Sequence, residues 1–166
     1  MEETEKFYTV RGYQLLEQNK KLLTSAMEDY LEMIYRKSLN VGYIRINTLS
    51  ELLNVKAPSA TKMIQRLSKL GLIEYQKYGT IRLTENGSII GKFLLERHNS
   101  IETFLKNLGV ADDLLVETEL IEHNISVNTL YRFKLFNKFL KDNPDIKMKY
   151  EQYVSIYFKK DKYGID

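Results

Sequence analysis

Hydrophobic residues recur along most of this chain at the three- and four-residue spacing of helices that bury one face. Over residues 25–38 the apolar stripe is Met27, Tyr30, Leu31 and Ile34, and Asp29 and Glu32 lie off it. The period then changes. Tyr43-Ile44-Arg45-Ile46 is a brief β-like run, and Thr48-Leu49-Ser50-Glu51 has the form of a capping box opening a short helix that ends near Asn54. The next helix is predicted to open at Pro58, where a missing N–H costs nothing, and to stop at Gly71. It carries Met63, Ile64, Leu67 and Leu70 inward and Ser59, Thr61, Lys62, Gln65 and Arg66 outward. Residues 72–75 and 80–83, separated by Gln76-Lys77-Tyr78-Gly79, read as a β-hairpin. Two short helices joined by a tight turn, the second polar and basic at its start, are what a helix-turn-helix needs; the hairpin would be its wing.

Thr84 is placed to cap a long helix over about 85–108, striped by Ile90, Leu94, Ile101, Leu105 and Leu108, with His98 on the same stripe. After Gly109 a helix is expected over about 112–124, and Ser126 caps another. On that last helix Leu130, Phe133, Phe136, Phe139 and Leu140 make much of the circumference apolar, more than a small domain covers. An isologous homodimer is the expected consequence. Before Thr24, the residues Tyr13, Leu15, Leu16, Leu22 and Leu23 suggest one more short helix. The expected fold is mainly α with a small β-hairpin: a winged helix-turn-helix followed by a helical dimerisation domain. Its parts are an extension at 1–24, the winged helix-turn-helix at 25–90, the helical dimerisation domain at 91–144, and a Tyr- and Lys-rich tail at 145–166.

Composition narrows the function. With 166 residues, 43% of them hydrophobic, the chain can bury a core. It has no cysteine, which excludes disulfides, thiolate zinc fingers and cysteine nucleophiles and leaves oxygen and nitrogen donors for any metal. No stretch is apolar enough to span a membrane, and the N-terminus lacks the features of a secretion signal, so a cytoplasmic protein is expected. The net charge of +3 says little, but its distribution says more. Between residues 56 and 73 there is no acidic residue, while Lys56, Lys62, Arg66 and Lys69 all fall inside. That favours double-stranded DNA as partner.

The chain has 2 histidines, His98 and His123. His123 closes the string Glu119-Leu120-Ile121-Glu122-His123, whose helical spacing turns two carboxylates and an imidazole toward one face. Asp29 and Glu32 repeat the three-residue carboxylate spacing upstream. A lone histidine on an apolar stripe is ordinarily a satisfied core residue, and a carboxylate pair is ordinarily a solvated face. Here both histidines and two separate carboxylate pairs fit one pattern, that of a transition-metal site tying together distant parts of the chain. Such a site would be a switch. A winged-helix regulator sensing an organic ligand is the alternative, and a carboxylate-bridged di-metal enzyme a weaker one. The enzyme would need two Glu-x-x-His motifs, and the chain has none; it also lacks a His-Glu-x-x-His motif and a P-loop. No enzymatic activity and no small organic substrate are expected.

Several strings occur in a telling order: Met27-Glu28-Asp29-Tyr30-Leu31-Glu32, Pro58-Ser59-Ala60-Thr61-Lys62-Met63-Ile64-Gln65, Leu83-Thr84-Glu85-Asn86-Gly87, Arg97-His98 and Ile121-Glu122-His123. In these, over roughly residues 25–142, the chain resembles the diphtheria-toxin-repressor family of metal-dependent transcriptional repressors, and within it the manganese-transport-regulator branch. The resemblance implies six metal-binding positions, Asp29, Glu32, His98, Glu119, Glu122 and His123, all filled here by suitable ligands. It implies Mn(II), with Fe(II) or another divalent transition metal left open, and two ions per subunit. In the iron-responsive branch a methionine stands where this chain has Asp29 and a cysteine where it has Glu119; hard carboxylates there favour Mn(II) by ligand type. DNA contact is expected from Thr48, Ser59, Thr61, Lys62, Gln65 and Arg66, and from Lys77 and Tyr78 at the wing tip. Two features depart from the family. The extension before Thr24 is long, and Tyr78-Gly79-Thr80 stands where relatives often show Tyr-Arg-Gly.

Overall fold

A computed structural model describes residues 2–19 and 22–163, without the side chains of 2–9, 19, 77 and 158–163. The chain divides into two units, one through Glu96 and one from Arg97.

The first unit begins with helix α1 (Glu2–Asn19) and helix α2 (Ser25–Ser38), followed by strand β1 (Ile44–Arg45) and two short helices, α3 (Ile46–Leu52) and α4 (Ala57–Lys69). Strands β2 (Ile73–Tyr75) and β3 (Thr80–Leu83) form the hairpin, and helix α5 (Glu85–Asn107) starts directly after it. The three strands make an antiparallel sheet in the order β1-β3-β2, with Ile44 opposite Ile81 and Tyr75 opposite Ile81 on the other side. Met27, Leu31, Ile34, Leu49, Ala60, Ile64, Leu67, Ile81 and Ile90 make the core.

The N-terminal extension is part of this unit. On α1, Gly12 packs so closely on α5 that an added Cβ would sit 2.6 Å from Phe93 Cβ. The Tyr13 and Phe93 rings lie 6.3 Å apart, Leu16 is buried, and Arg11 reaches Glu85 at 3.7 Å. The glycine is what lets the two helices approach.

One expectation fails locally. The capping box at Thr48 does not start α3: the helix begins at Ile46 with Arg45 in the extended N-cap position, and Thr48 lies inside it. The cause is β1. Because Ile44 and Arg45 pair with β3, the chain leaves the sheet straight into the helix, two residues before a side-chain cap could act. The caps expected at Thr84 and Ser126 do form, with Thr84 Oγ1 accepting from Gly87 N at 3.1 Å and Ser126 Oγ from Thr129 N at 3.2 Å.

The second unit holds the rest of α5, then α6 (Leu114–Glu122), α7 (Val127–Asp142) and α8 (Pro144–Tyr163). Residues of the tail thus form a helix. At Gly109, φ is +87°, and Val110 N donates to Leu105 O, a Schellman closure that ends α5 where the sequence placed its stop. Phe104 of α5 stacks on Phe133 at 3.8 Å and meets Phe136 edge-on at 5.6 Å, while Asn137 Nδ2 donates to Ser100 O. The aromatic set on α7 is therefore split. Leu130 and Leu140 are buried and Phe133 lies on Phe104; Tyr131, Leu135, Phe136 and Phe139 remain exposed.

A candidate metal centre and a DNA-reading surface

The helix-turn-helix is built by backbone closure. After α3, Asn54 adopts φ +50°, Val55 N donates to Ser50 O and Asn54 N to Glu51 O. This is the Schellman arrangement, with asparagine in the left-handed position that glycine usually takes. It turns the chain within four residues into α4. There Ala60, Ile64 and Leu67 are fully buried, and Ser59, Lys62, Gln65 and Arg66 are exposed. Thr61 is half-buried, its hydroxyl donating to Ala57 O at 2.9 Å. Thr48 is exposed on α3. Gly71 ends α4 at φ +70°, Leu72 N donating to Leu67 O.

At the wing tip Gln76 N donates to Thr80 O, and Tyr78 and Gly79 both take positive φ, +64° and +75°. A tyrosine in the left-handed region is sterically disfavoured by about 1–2 kcal/mol. Here it projects the ring outward at 95% exposure. The Lys77 side chain lies outside the described residues. Arg82, absent from the residues expected at the DNA, is exposed on β3 with its guanidinium 5.8 Å from the Tyr43 ring centre. The period-two alternation of β3, buried at Ile81 and exposed at Arg82, is the signal that could have found it.

In the second unit α5 and α6 bring His98 and Glu122 together. His98 Nδ1 lies 3.1 Å from Glu122 Oε2, and the two side chains are 9% and 3% exposed. Glu122 Oε1 lies 3.8 Å from Nε2 of His123, which is half-buried as the C-cap of α6. A buried carboxylate costs free energy unless donors or cations surround it, and these imidazoles are the partners on its own unit. The spacing also suits a shared ion. In an octahedral shell with bonds of about 2.1 Å, neighbouring ligand atoms lie about 3.0 Å apart. The residues present therefore fit a divalent transition metal, with nitrogen and carboxylate oxygen as donors. Glu119, one turn earlier on α6, is exposed.

In the first unit Asp29 and Glu32 sit on α2. The sequence pattern put both off the buried stripe, yet Glu32 is buried, with 8% exposure. Its carboxylate accepts from Arg36 Nη2 at 2.5 Å, one helical turn on, a partner the sequence reading did not single out.

Two family models cover the chain. Residues 22–81 match the N-terminal DNA-binding domain of the iron-dependent repressors, and residues 84–151 match the metal-binding and dimerisation domain. The HTH-type transcriptional regulator MntR of Lysinibacillus sphaericus is 40% identical over 129 residues, 77% of this chain and 93% of that protein. Its counterpart in Oceanobacillus iheyensis is 40% identical over 126 residues, 75% of this chain and 86% of that protein. Among solved structures, the manganese regulator SloR matches with a TM-score of 0.60 and 31% identity, over 68% of this chain and 54% of SloR. IdeR of T. acidophilum matches with a TM-score of 0.57 and 30% identity, over 64% of this chain and 51% of IdeR. The chain thus spans about half the length of these two structures. Both family models, in order and over most of the sequence, place the chain in the iron-dependent repressor family of metal-dependent, DNA-binding transcriptional regulators.

Proposed function

We propose that this chain is a homodimeric repressor activated by Mn(II). The metal would be held by Asp29 and Glu32 from the first unit and by His98, Glu119, Glu122 and His123 from the second, at two ions per subunit. The observation that carries the reading is the buried His98–Glu122 pair, a nitrogen and an oxygen donor at coordination spacing inside a helical unit. The absence of cysteine from the chain fits a hard-donor site, and SloR, a structural relative, is a manganese regulator. Fe(II) is the competing activator, since affinity rises from Mn(II) to Fe(II) at a given site and the cell's supply then decides.

The bound ion supplies positive charge that offsets the carboxylates. What the chain does with it is conformational. Ligands drawn from distant parts of the chain would lose independent motion on sharing one ion, and part of the ordering cost of binding DNA would then already be met. Ser59, Thr61, Lys62, Gln65 and Arg66 on α4 would enter the major groove. Thr48 on α3 and the Lys77-Tyr78 wing tip would hold the phosphate backbone. Exposed Tyr131, Leu135, Phe136 and Phe139 on α7 would seat a second copy, so that two recognition helices meet two half-sites. Such a repressor works in the cytoplasm, where the DNA is.

The experiment is selection of binding sites from a random duplex pool in MnCl2, followed by affinity measurement on the selected duplex. Mn(II) is expected to tighten binding at least about tenfold, a typical allosteric coupling, and chelator to reverse it. Equal affinity in Mn(II), Fe(II) and chelator would contradict metal activation.

A further inference from the structure

The Glu32–Arg36 pair on α2 combines two features that do not suit a purely structural ion pair. The Glu32 side chain is 10% exposed, so its charge needs a close cation. Arg36 provides one at Oε1, but its own seat is poor: its side chain is 37% exposed, and its buried Nε has no hydrogen-bond partner among the described residues. An arginine can withdraw its head to water along a flexible stem, whereas the shorter, buried glutamate cannot follow it. A divalent ion on the same carboxylate would repel the guanidinium.

We propose that Arg36 is the counter-ion of Glu32 in the metal-free protein and is displaced from it when a divalent ion binds. This rests on the reading of Glu32 as a metal ligand. Arg36 then acts as a built-in competitor. It keeps the buried carboxylate compensated and in place without metal, and the free energy of releasing it subtracts from metal affinity. The concentration at which the site fills is raised accordingly. A metal sensor gains from this, because its ligands stay ordered while traces of metal leave it unswitched.

Arg36→Met removes the charge and retains a helix-forming, unbranched side chain; Arg36→Lys keeps the charge. The full-length variants are titrated with MnCl2 without DNA, by calorimetry or by the electron paramagnetic resonance of free Mn(II), and melted in EDTA and in saturating MnCl2. Arg36→Met is expected to tighten Mn(II) binding roughly tenfold, to lower the melting temperature in EDTA, and to leave it unchanged in saturating Mn(II), since apo destabilisation and gained affinity are one linkage quantity. Arg36→Lys should stay within about threefold of wild type, as a retained charge still compensates the carboxylate. If Arg36→Met does not fold in EDTA, Arg36→Gln carries the same comparison, because it keeps a donor without the charge. Equal melting losses with and without Mn(II) at unchanged affinity would make Arg36 a structural residue and overturn the proposal, as would weaker Mn(II) binding. Failure of the wild-type protein itself to bind Mn(II) would instead contradict the metal reading on which the proposal rests.

Discussion

Glu122→Gln is expected to weaken Mn(II) binding by about two orders of magnitude or more and to abolish metal-dependent DNA binding, while the protein stays folded. Loss of an outer-shell partner alone typically costs 10–100-fold in metal affinity, and Glu122 would be a direct ligand. The amide has the shape of the carboxylate and can still hydrogen-bond His98 Nδ1, so the 3.1 Å contact between α5 and α6 survives the change. The negative charge does not. Mn(II) titration and binding to the selected duplex check the first part, and a thermal melt within a few degrees of wild type checks the second. Wild-type DNA affinity in Mn(II) would remove Glu122 from the site.

Gly87→Ala should have the largest effect on stability, about 3 kcal/mol or more, by forced overpacking against backbone. A Cβ at this position would lie 1.8 Å from Leu72 O and 2.8 Å from Leu72 C. Neither is the movable end of a side chain. Leu72 O also accepts from Thr84 N, and Thr84 Oγ1 donates to Gly71 O while accepting from Gly87 N. The start of α5 is thus fastened to the end of α4 and the base of the hairpin through one cluster of backbone groups. Relief requires α5 to move off the wing. Chemical denaturation of the metal-free variant measures the loss; a change under 1 kcal/mol would mean that this junction is not closed as described.

Much of this was legible because it is encoded locally. Gly71 and Gly109 stop helices by adopting conformations that few other residues tolerate, and Thr84 and Ser126 start them with side-chain caps. The recognition helix announced itself through basic residues with no acid nearby and an apolar stripe of matching period. What stayed hidden depends on partners distant in sequence. The start of α3 is decided by β1 pairing with β3, so the capping box at Thr48 pointed to the wrong residue. Which residues of the apolar α7 set are covered within the chain is not written in that helix: Phe104 on α5 covers Phe133 and leaves Phe139 exposed. Gly12 carries no mark in the sequence that Phe93 will lie against it. Periodicity along α2 put Glu32 off the stripe, and its burial and its bond to Arg36 emerged only from the fold. The proposed metal ligands stand out in the sequence as residue types and spacings; of those, the structure brings His98 to Glu122, with His123 beside it.

In the proposed switch, metal and DNA act on one conformational equilibrium. Thermodynamic linkage then requires DNA to tighten Mn(II) binding by the same factor that Mn(II) tightens DNA binding. Titration of MnCl2 into the protein with and without saturating selected duplex, set beside DNA affinities in Mn(II) and in chelator, measures both factors on the same molecules. Two equal factors of at least about tenfold are expected, and a Glu122→Gln protein in which both fall to one. Mn(II) binding that is tight but indifferent to DNA would show that the ion is held without being coupled to the recognition helices, and would rule out a metal-operated switch.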